Sequence, residues 1–186
     1  MRDTLVIAIP DPALVVLVGA AGAGKSTFAA RHFAAGEVLS SDLLREAIAG
    51  DAADQRATGP AFAALHRALA RRLGAGRLTV VDATNVTAAA RRALLRRAAV
   101  VGVPAVAIVL DLDPRLVAAR NAQREGGRVP GDAVLRQLTD LEASNRPGAL
   151  EAEGFAQVVR LAASTDADAV RIERVSSPPG PPPRAT

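Results

Sequence analysis

The chain has 186 residues, a formal net charge of +4 and an isoelectric point near 11, with 49 % hydrophobic and 23 % charged residues, a globular balance that excludes wholesale disorder. No apolar run approaches the roughly eighteen residues of a membrane span, since glycines break the longest candidate, Ala13 to Gly24. The absence of Cys excludes disulfides, thiolate metal sites and thiol catalysis, and the absence of Trp and Tyr leaves four Phe as the only aromatic surfaces for stacking nucleobases.

In chain order, Met-Arg-Asp-Thr leads into a short apolar stretch without a cleavage pattern, so no signal peptide is expected and the expected location is cytoplasmic. Leu5–Ile9 reads as a short strand ended by Pro10-Asp-Pro12, and Leu14–Val18 as a continuous apolar strand. After a glycine-rich loop, Lys25 to Ala35 reads as a helix, Glu37–Ser40 as a strand, and Asp42–Ala49 as a helix with Asp42 at the N-cap and Gly50 at the stop. Ala52 to Pro60 reads as a loop, Phe62–Leu73 as a helix and Leu78–Val81 as a buried strand. Thr87 to Val101 is helical again, followed by Val103–Leu110, the longest predicted strand. Asp113-Pro114 predicts an N-cap with Pro at the first helical position of a helix running to about Arg124, broken by Gly126-Gly127. Asp132–Ser144 is a helix, Phe155–Leu161 a last core strand and Val170–Val175 an edge strand. This alternation predicts an α/β fold with a parallel sheet and helices on both faces. From Ser176 onward the Pro-rich sequence SSPPGPPPRAT reads as a linker or tail, leaving residues 1–175 as one domain.

The chemistry concentrates in three stretches. Gly19-Ala20-Ala21-Gly22-Ala23-Gly24-Lys25-Ser26, followed by Thr27, matches G-x-x-x-x-G-K-S between a strand and a helix, the context of a phosphate-binding P-loop. Its small residues let backbone N–H groups converge on phosphate oxygens. Lys25 would reach the β- and γ-phosphates of ATP and the Ser26 hydroxyl would ligate Mg²⁺. Lys25 is also the one lysine among 23 basic residues, in a chain otherwise converted to Arg, and an ammonium and a guanidinium are not interchangeable. A nucleotide-binding loop does not by itself specify a reaction. Ser40-Ser41-Asp42-Leu-Leu-Arg45 follows at the next strand end, where Asp42 could serve as general base and Arg45, one helical turn on, could hold an acceptor phosphate; the plain alternatives are a helix cap and a solvated arginine. Arg120-Asn-Ala-Gln-Arg124-Glu-Gly-Gly-Arg128 places Arg120 and Arg124 at i, i+4, as a helical lid over a transferring phosphoryl group would. Asp82, in VVDATN, either orients water around Mg²⁺ or simply ends a strand. Gln55 and Thr58-Gly59 lie in a loop that could line an acceptor groove. Asp111 and Asp113 read as strand-end and cap residues, His32 and His66 as structural or surface, and Arg91-Arg92 with Arg96-Arg97 as solvated helix residues.

The series GAAGAGKSTFAARHF, SSDLLR, TGPAF…LH, LTVVDATNV and RNAQR resembles the kinase domain of bacterial polynucleotide kinase-phosphatases of RNA repair, from about Pro10 to about Val175. The resemblance implies an adenylate kinase-like P-loop phosphotransferase with a helical lid at about 120–135. It implies transfer of the ATP γ-phosphate to the 5′-OH end of RNA or DNA, with Mg²⁺ as cofactor. It assigns phosphate and metal binding to Lys25 and Ser26, the general base to Asp42, the nucleic-acid phosphate to Arg45 and the lid to Arg120 and Arg124. It further implies phosphatase and ligase domains as partners, which in that family follow the kinase. The chain departs from the family around Asp111 to Pro114 and at Gly126-Gly127. Two other readings of the same residues are a P-loop kinase of a small metabolite or sugar nucleotide, and a nucleotide-dependent binding or switch module.

Overall fold

The computed structural model describes residues 4–50, 58–124, 128–163, 167 and 169–176. The chain order is β1 (Leu5–Asp11), β2 (Leu14–Val18), α1 (Lys25–His32), a 3₁₀ turn (Ala35–Glu37), β3 (Val38–Ser40), α2 (Ser41–Ala49), α3 (Thr58–Gly74), β4 (Thr79–Asp82), α4 (Ala88–Val101) and β5 (Ala105–Leu110). Then follow α5 (Pro114–Ala122), α6 (Gly131–Ser144), α7 (Ala149–Glu153), β6 (Gln157–Leu161) and β7 (Val170–Ser176). Strands β2 to β6 form one parallel sheet in the order β3-β4-β2-β5-β6, flanked by helices.

Every residue of β2, β4 and β5 is buried, whereas the edge strands β3 and β6 are only partly so. Continuous apolar runs such as Leu14–Val18 belong in the middle of such a sheet, because helices cover both faces. Alternate residues divide between the faces: Val15 and Leu17 pack with Phe28, Ile108 and Val134, while Leu14, Val16 and Val18 pack with Leu65, Leu69, Leu94 and Val109. The connection from β2 runs to one side of the sheet and that from β5 to the other. A crevice therefore opens at their carboxyl ends, where open α/β sheets bind ligands.

Several boundaries differ from the sequence reading. The first helix stops at His32 rather than Ala35, and α3 already includes Thr58–Pro60. Ser40, not Asp42, is the N-cap of α2: its hydroxyl accepts from the Leu43 N–H at 3.4 Å. The longest strands are not the Val103–Leu110 segment, of which six residues are strand, but β1 and β7 with seven each. These two pair in parallel as a separate two-stranded sheet, so Val170–Ser176 is not an edge of the main sheet and Ser176 still belongs to a strand. The Asp113-Pro114 cap forms as predicted, with the Asp113 carboxylate accepting from the Arg115 N–H at 2.7 Å, but α5 ends at Ala122. Residues 51–57, 125–127 and 177–186, and with them Gln55, the Gly126-Gly127 break and the Pro-rich tail, lie outside the described residues.

Arg91 is fully buried rather than solvated. It forms a two-pronged pair with Glu153 at 2.8 and 2.6 Å and donates to the Asn85 and Val86 carbonyls at 2.8 Å. It ties α4 to the loop after β4 and to α7. Removing one partner of a buried pair strands the other, at a cost of about 3–5 kcal/mol. Arg91→Met should therefore lower unfolding stability by that order in urea titrations, whereas the exposed Arg92→Ala and Arg96→Ala should each stay within about 0.5 kcal/mol of wild type.

Candidate active site

The residues of the glycine-rich loop wrap the crevice between the end of β2 and the start of α1. Gly24 stands at the N-cap of α1 in the left-handed region, φ +93°, and the first-turn N–H groups of the helix have no intrahelical acceptor. Gly22 is required by close approach: a Cβ there would lie 2.4 Å from the Val117 carbonyl oxygen and 3.1 Å from the Asn121 nitrogen. The loop thus rests directly on the last turn of α5. The Lys25 ammonium is buried and donates to the Gly19 and Ala20 carbonyls at 2.8 and 2.9 Å. Desolvation lowers its pKa from 10.5 to about 8, against the attraction of Asp82 and Asp42.

Asp82 ends β4 and lies in register with Leu17 of β2 and Ser40 of β3, so the sheet itself sets this carboxylate between the loop and the Asp42 segment. Burial raises its pKa, opposed by a hydrogen bond from Ser26 and by the charge of Lys25. Burial thus works against the charged form of both Lys25 and Asp82, as expected of a site that gains charges on ligand binding. Asp42 Oδ1 accepts from Arg45 and, at 3.3 Å, from the Ser41 hydroxyl, while Oδ2 lies 4.0 Å from Arg124. The first oxygen is anchored and the second faces the cleft. The Nε of Arg45 is buried without a hydrogen-bond partner.

Lys25, Ser26, Asp42, Arg45, Asp82, Arg120 and Arg124 all line one cleft of about 990 Å³. Of the sequence-predicted site, only Gln55 lies outside the described residues. Arg120 and Arg124, expected on one helix face at i, i+4, do not share one: Arg124 sits two residues beyond the end of α5, although both line the cleft. The sequence reading had no signal for Arg31, Arg136 and Gln137, which the fold also brings to the cleft, and left Arg128 without a role there. Gln137 accepts from the Ala21 N–H at 2.8 Å across 116 positions, a contact no local pattern could show. Among the described lining residues, seven cations (Lys25, Arg31, Arg45, Arg120, Arg124, Arg128 and Arg136) face two carboxylates. Of these, Arg136 is paired at 2.7 Å with Asp132, which lies outside the cleft lining. His32 packs on Phe28, with ring centroids 4.5 Å apart, and His66 is partly buried, its pKa lowered by burial and by Arg97 and Arg96, as structural residues would be.

The donor set fits a phosphate–metal pair. Mg²⁺ is commonly held by one or two protein oxygens together with substrate phosphates, and Ser26 and Asp82 offer a hydroxyl and a carboxylate beside the loop. Among the described residues no group of three His, Cys, Asp or Glu could hold a metal unaided, and no helix is long and apolar enough to cross a membrane.

Fold and loop together define a P-loop kinase-like nucleotide-binding domain. The sequence matches the AAA domain family over residues 14–147, and the chain belongs to that family. A putative kinase from Chloroflexus aurantiacus is similar at 18 % identity and TM-score 0.57, with 82 % of this chain and 88 % of that chain covered. A chain of the Pnkp1/Rnl/Hen1 RNA repair complex is similar at 22 % identity and TM-score 0.59; the alignment covers 74 % of this chain but only 46 % of that one. A gluconokinase from Sinorhizobium meliloti is similar at 20 % identity and TM-score 0.51, with 84 % and 85 % covered. These likenesses establish the fold. No curated protein matches.

Lys25 gives a distinct side-chain titration, because the chain has no other Lys, no Tyr and no Cys. The unfolded chain holds this proton up to about 10.5 and the folded chain releases it near 8, so the unfolded state binds more protons in between and stability rises with pH across that window. The gain should be on the order of 3 kcal/mol and absent in Lys25→Met. The single lysine ¹³Cε resonance should titrate near pH 8; a midpoint near 10.5 would show that the ammonium is not desolvated.

Proposed function

We propose that the protein is an ATP-dependent 5′-hydroxyl polynucleotide kinase that transfers the γ-phosphate to the 5′-OH end of RNA or DNA in nucleic-acid repair. The observation that carries this reading is the convergence of Lys25, Asp42, Arg45, Arg120 and Arg124 on one cleft. Mg²⁺-bound ATP carries about two net negative charges, and Arg45 beside Asp42 adds a cation on the acceptor side, which favours a second anionic substrate beside it. When bound, Mg²⁺ would supply charge neutralisation on the phosphates, held by Ser26 and Asp82.

In this reading the backbone of Gly19 to Thr27 cradles the β- and γ-phosphates and Lys25 exchanges its two loop carbonyls for phosphate oxygens. Asp42 Oδ2 takes the proton of the acceptor hydroxyl as its oxygen attacks the γ-phosphorus and ADP departs. Arg45, with one N–H on Asp42, holds an acceptor phosphate beside the base through its remaining terminal N–H groups. Arg120 and Arg124 meet the charge that develops in transit. Phosphatase and ligase activities would complete the repair in concert with this domain. A switch module would need no carboxylate at the acceptor side, and Asp42 argues against one. A small-metabolite kinase is the second reading, favoured by the likeness to the gluconokinase, which covers 84 % of this chain and 85 % of that one.

The deciding assay is transfer of labelled γ-phosphate from ATP to a 5′-OH oligonucleotide, with gluconate and nucleosides as competing acceptors; transfer to the small acceptors alone would overturn the polynucleotide reading. Lys25→Ala should abolish transfer, and Lys25→Arg should restore little of it, because a planar fork does not replace a point charge. Asp42→Asn should lower the rate by about 10²–10⁴ while ATP still binds. Arg45→Ala should weaken oligonucleotide binding more than that of a nucleoside 3′-monophosphate.

The lid gives a separate expectation. Arg120→Ala and Arg124→Ala should each lower kcat with a smaller change in ATP affinity, and the loss should persist at saturating acceptor. Arg92→Ala and Arg96→Ala are the controls. Equal losses in the controls, erased by salt, would mean diffuse attraction to nucleic acid rather than phosphoryl-transfer chemistry.

A further inference from the structure

The hydrogen bond from the Ala21 N–H to Gln137 joins the phosphate loop to α6, the helix that follows the lid segment. Among the loop's other N–H groups, Gly19 donates to the Thr84 carbonyl and Ala23 to the Ala20 carbonyl, so Gln137 is the side chain that α6 contributes to holding the loop. The loop is gripped from two sides: α5 through the close approach of Gly22 to Val117, and α6 through Gln137. The lid root is fixed as well, because the buried Asn121 side chain donates to the Val129 carbonyl at 2.7 Å and accepts from the Val129 N–H at 3.2 Å.

A backbone N–H is only a donor, so the side-chain oxygen of Gln137 must be the atom that faces Ala21. This fixes the orientation of the amide and assigns its NH₂ group, with two donors, to the other branch. Gln137 lines the cleft and is only partly buried, and among the described residues its NH₂ has no acceptor. Glutamate would offer the same oxygen to Ala21 but a negative charge in place of the donors.

Resting on the nucleotide reading above, we propose that Gln137 is a two-sided residue of the triphosphate site: its oxygen sets the phosphate loop and its NH₂ donates to a phosphate oxygen of the bound nucleotide. The lid-side helix thereby contributes a neutral, geometrically fixed donor to a site otherwise built from backbone N–H groups and cations. Loop position and phosphate contact are then coupled through one amide.

The test uses the full chain and a non-hydrolysable ATP analogue with Mg²⁺, read by calorimetry, melting temperature and NMR. Gln137→Glu should keep the Ala21 bond and the melting temperature, yet bind the analogue at least about tenfold more weakly. Gln137→Met, without either group, should also bind more weakly. In the wild-type protein the Gln137 side-chain NH₂ resonances should move when the analogue is added. Wild-type affinity in Gln137→Glu would overturn the proposal. So would wild-type affinity in Gln137→Met, since the loss in Gln137→Glu would then be charge repulsion alone. Unmoved NH₂ resonances at saturation would overturn it even if Gln137→Met failed to fold. Lys25→Ala separates the two levels: analogue binding lost there but unaffected by Gln137 substitution defeats only this proposal, whereas no binding by the wild-type chain defeats the nucleotide reading itself.

Discussion

An ammonium buried against two backbone carbonyls is the constraint around which the site is organised. Lys25 can be held there only if the loop carbonyls of Gly19 and Ala20 turn inward towards its Nζ. The glycines make that path possible, most plainly Gly22, where any side chain would strike the backbone of α5. Desolvation of the ammonium works against folding, and the same desolvation strengthens whatever interaction it makes with an incoming anion. A stable domain tolerates this because the cost falls on one residue while three strands around it are fully buried.

The parallel sheet distributes the remaining chemistry. Strand β2 delivers the loop, β4 delivers Asp82 one register position away, and β3 ends at Ser40, whose cap starts the helix that carries Asp42 and Arg45. Each side chain is thus placed by a strand end or within the first two turns of a helix, which are rigid positions and suit a site that must hold geometry. The arginines differ. Arg120 lies in the last turn of α5 and Arg124 two residues beyond it, so this half of the site is placed by a helix C-terminus and the chain that follows it.

Charge and stability are separated in space. Arg91 anchors α4, the loop after β4 and α7 through a buried pair with Glu153, whereas most of the arginines that line the cleft are partly exposed and add little to stability. Two arginines with similar sequence surroundings, Arg91 and Arg92, therefore do unrelated things: one is a structural tie, the other a solvated residue.

The sequence alone was sufficient for the phosphate loop, the parallel α/β plan and most of the helix and strand segments, because these rest on local rules: glycine spacing before a lysine, continuous apolar runs for buried strands, and the Asp113-Pro114 start of α5. It was also sufficient to nominate Asp42, Arg45, Arg120 and Arg124, since short motifs keep their residues together. Tertiary structure decided what local rules do not encode. Ser40 rather than Asp42 caps α2 because the chain leaves β3 at that residue, freeing the Asp42 carboxylate for the cleft. β7 left the main sheet because it pairs with β1, more than 150 residues away. Burial of Arg91 depended on Glu153 arriving from α7, and the seat of Gln137 on the phosphate loop depended on α6 packing beside it. Each of these is a long-range contact whose partner is invisible from the neighbouring sequence, so only the assembled fold could fix it.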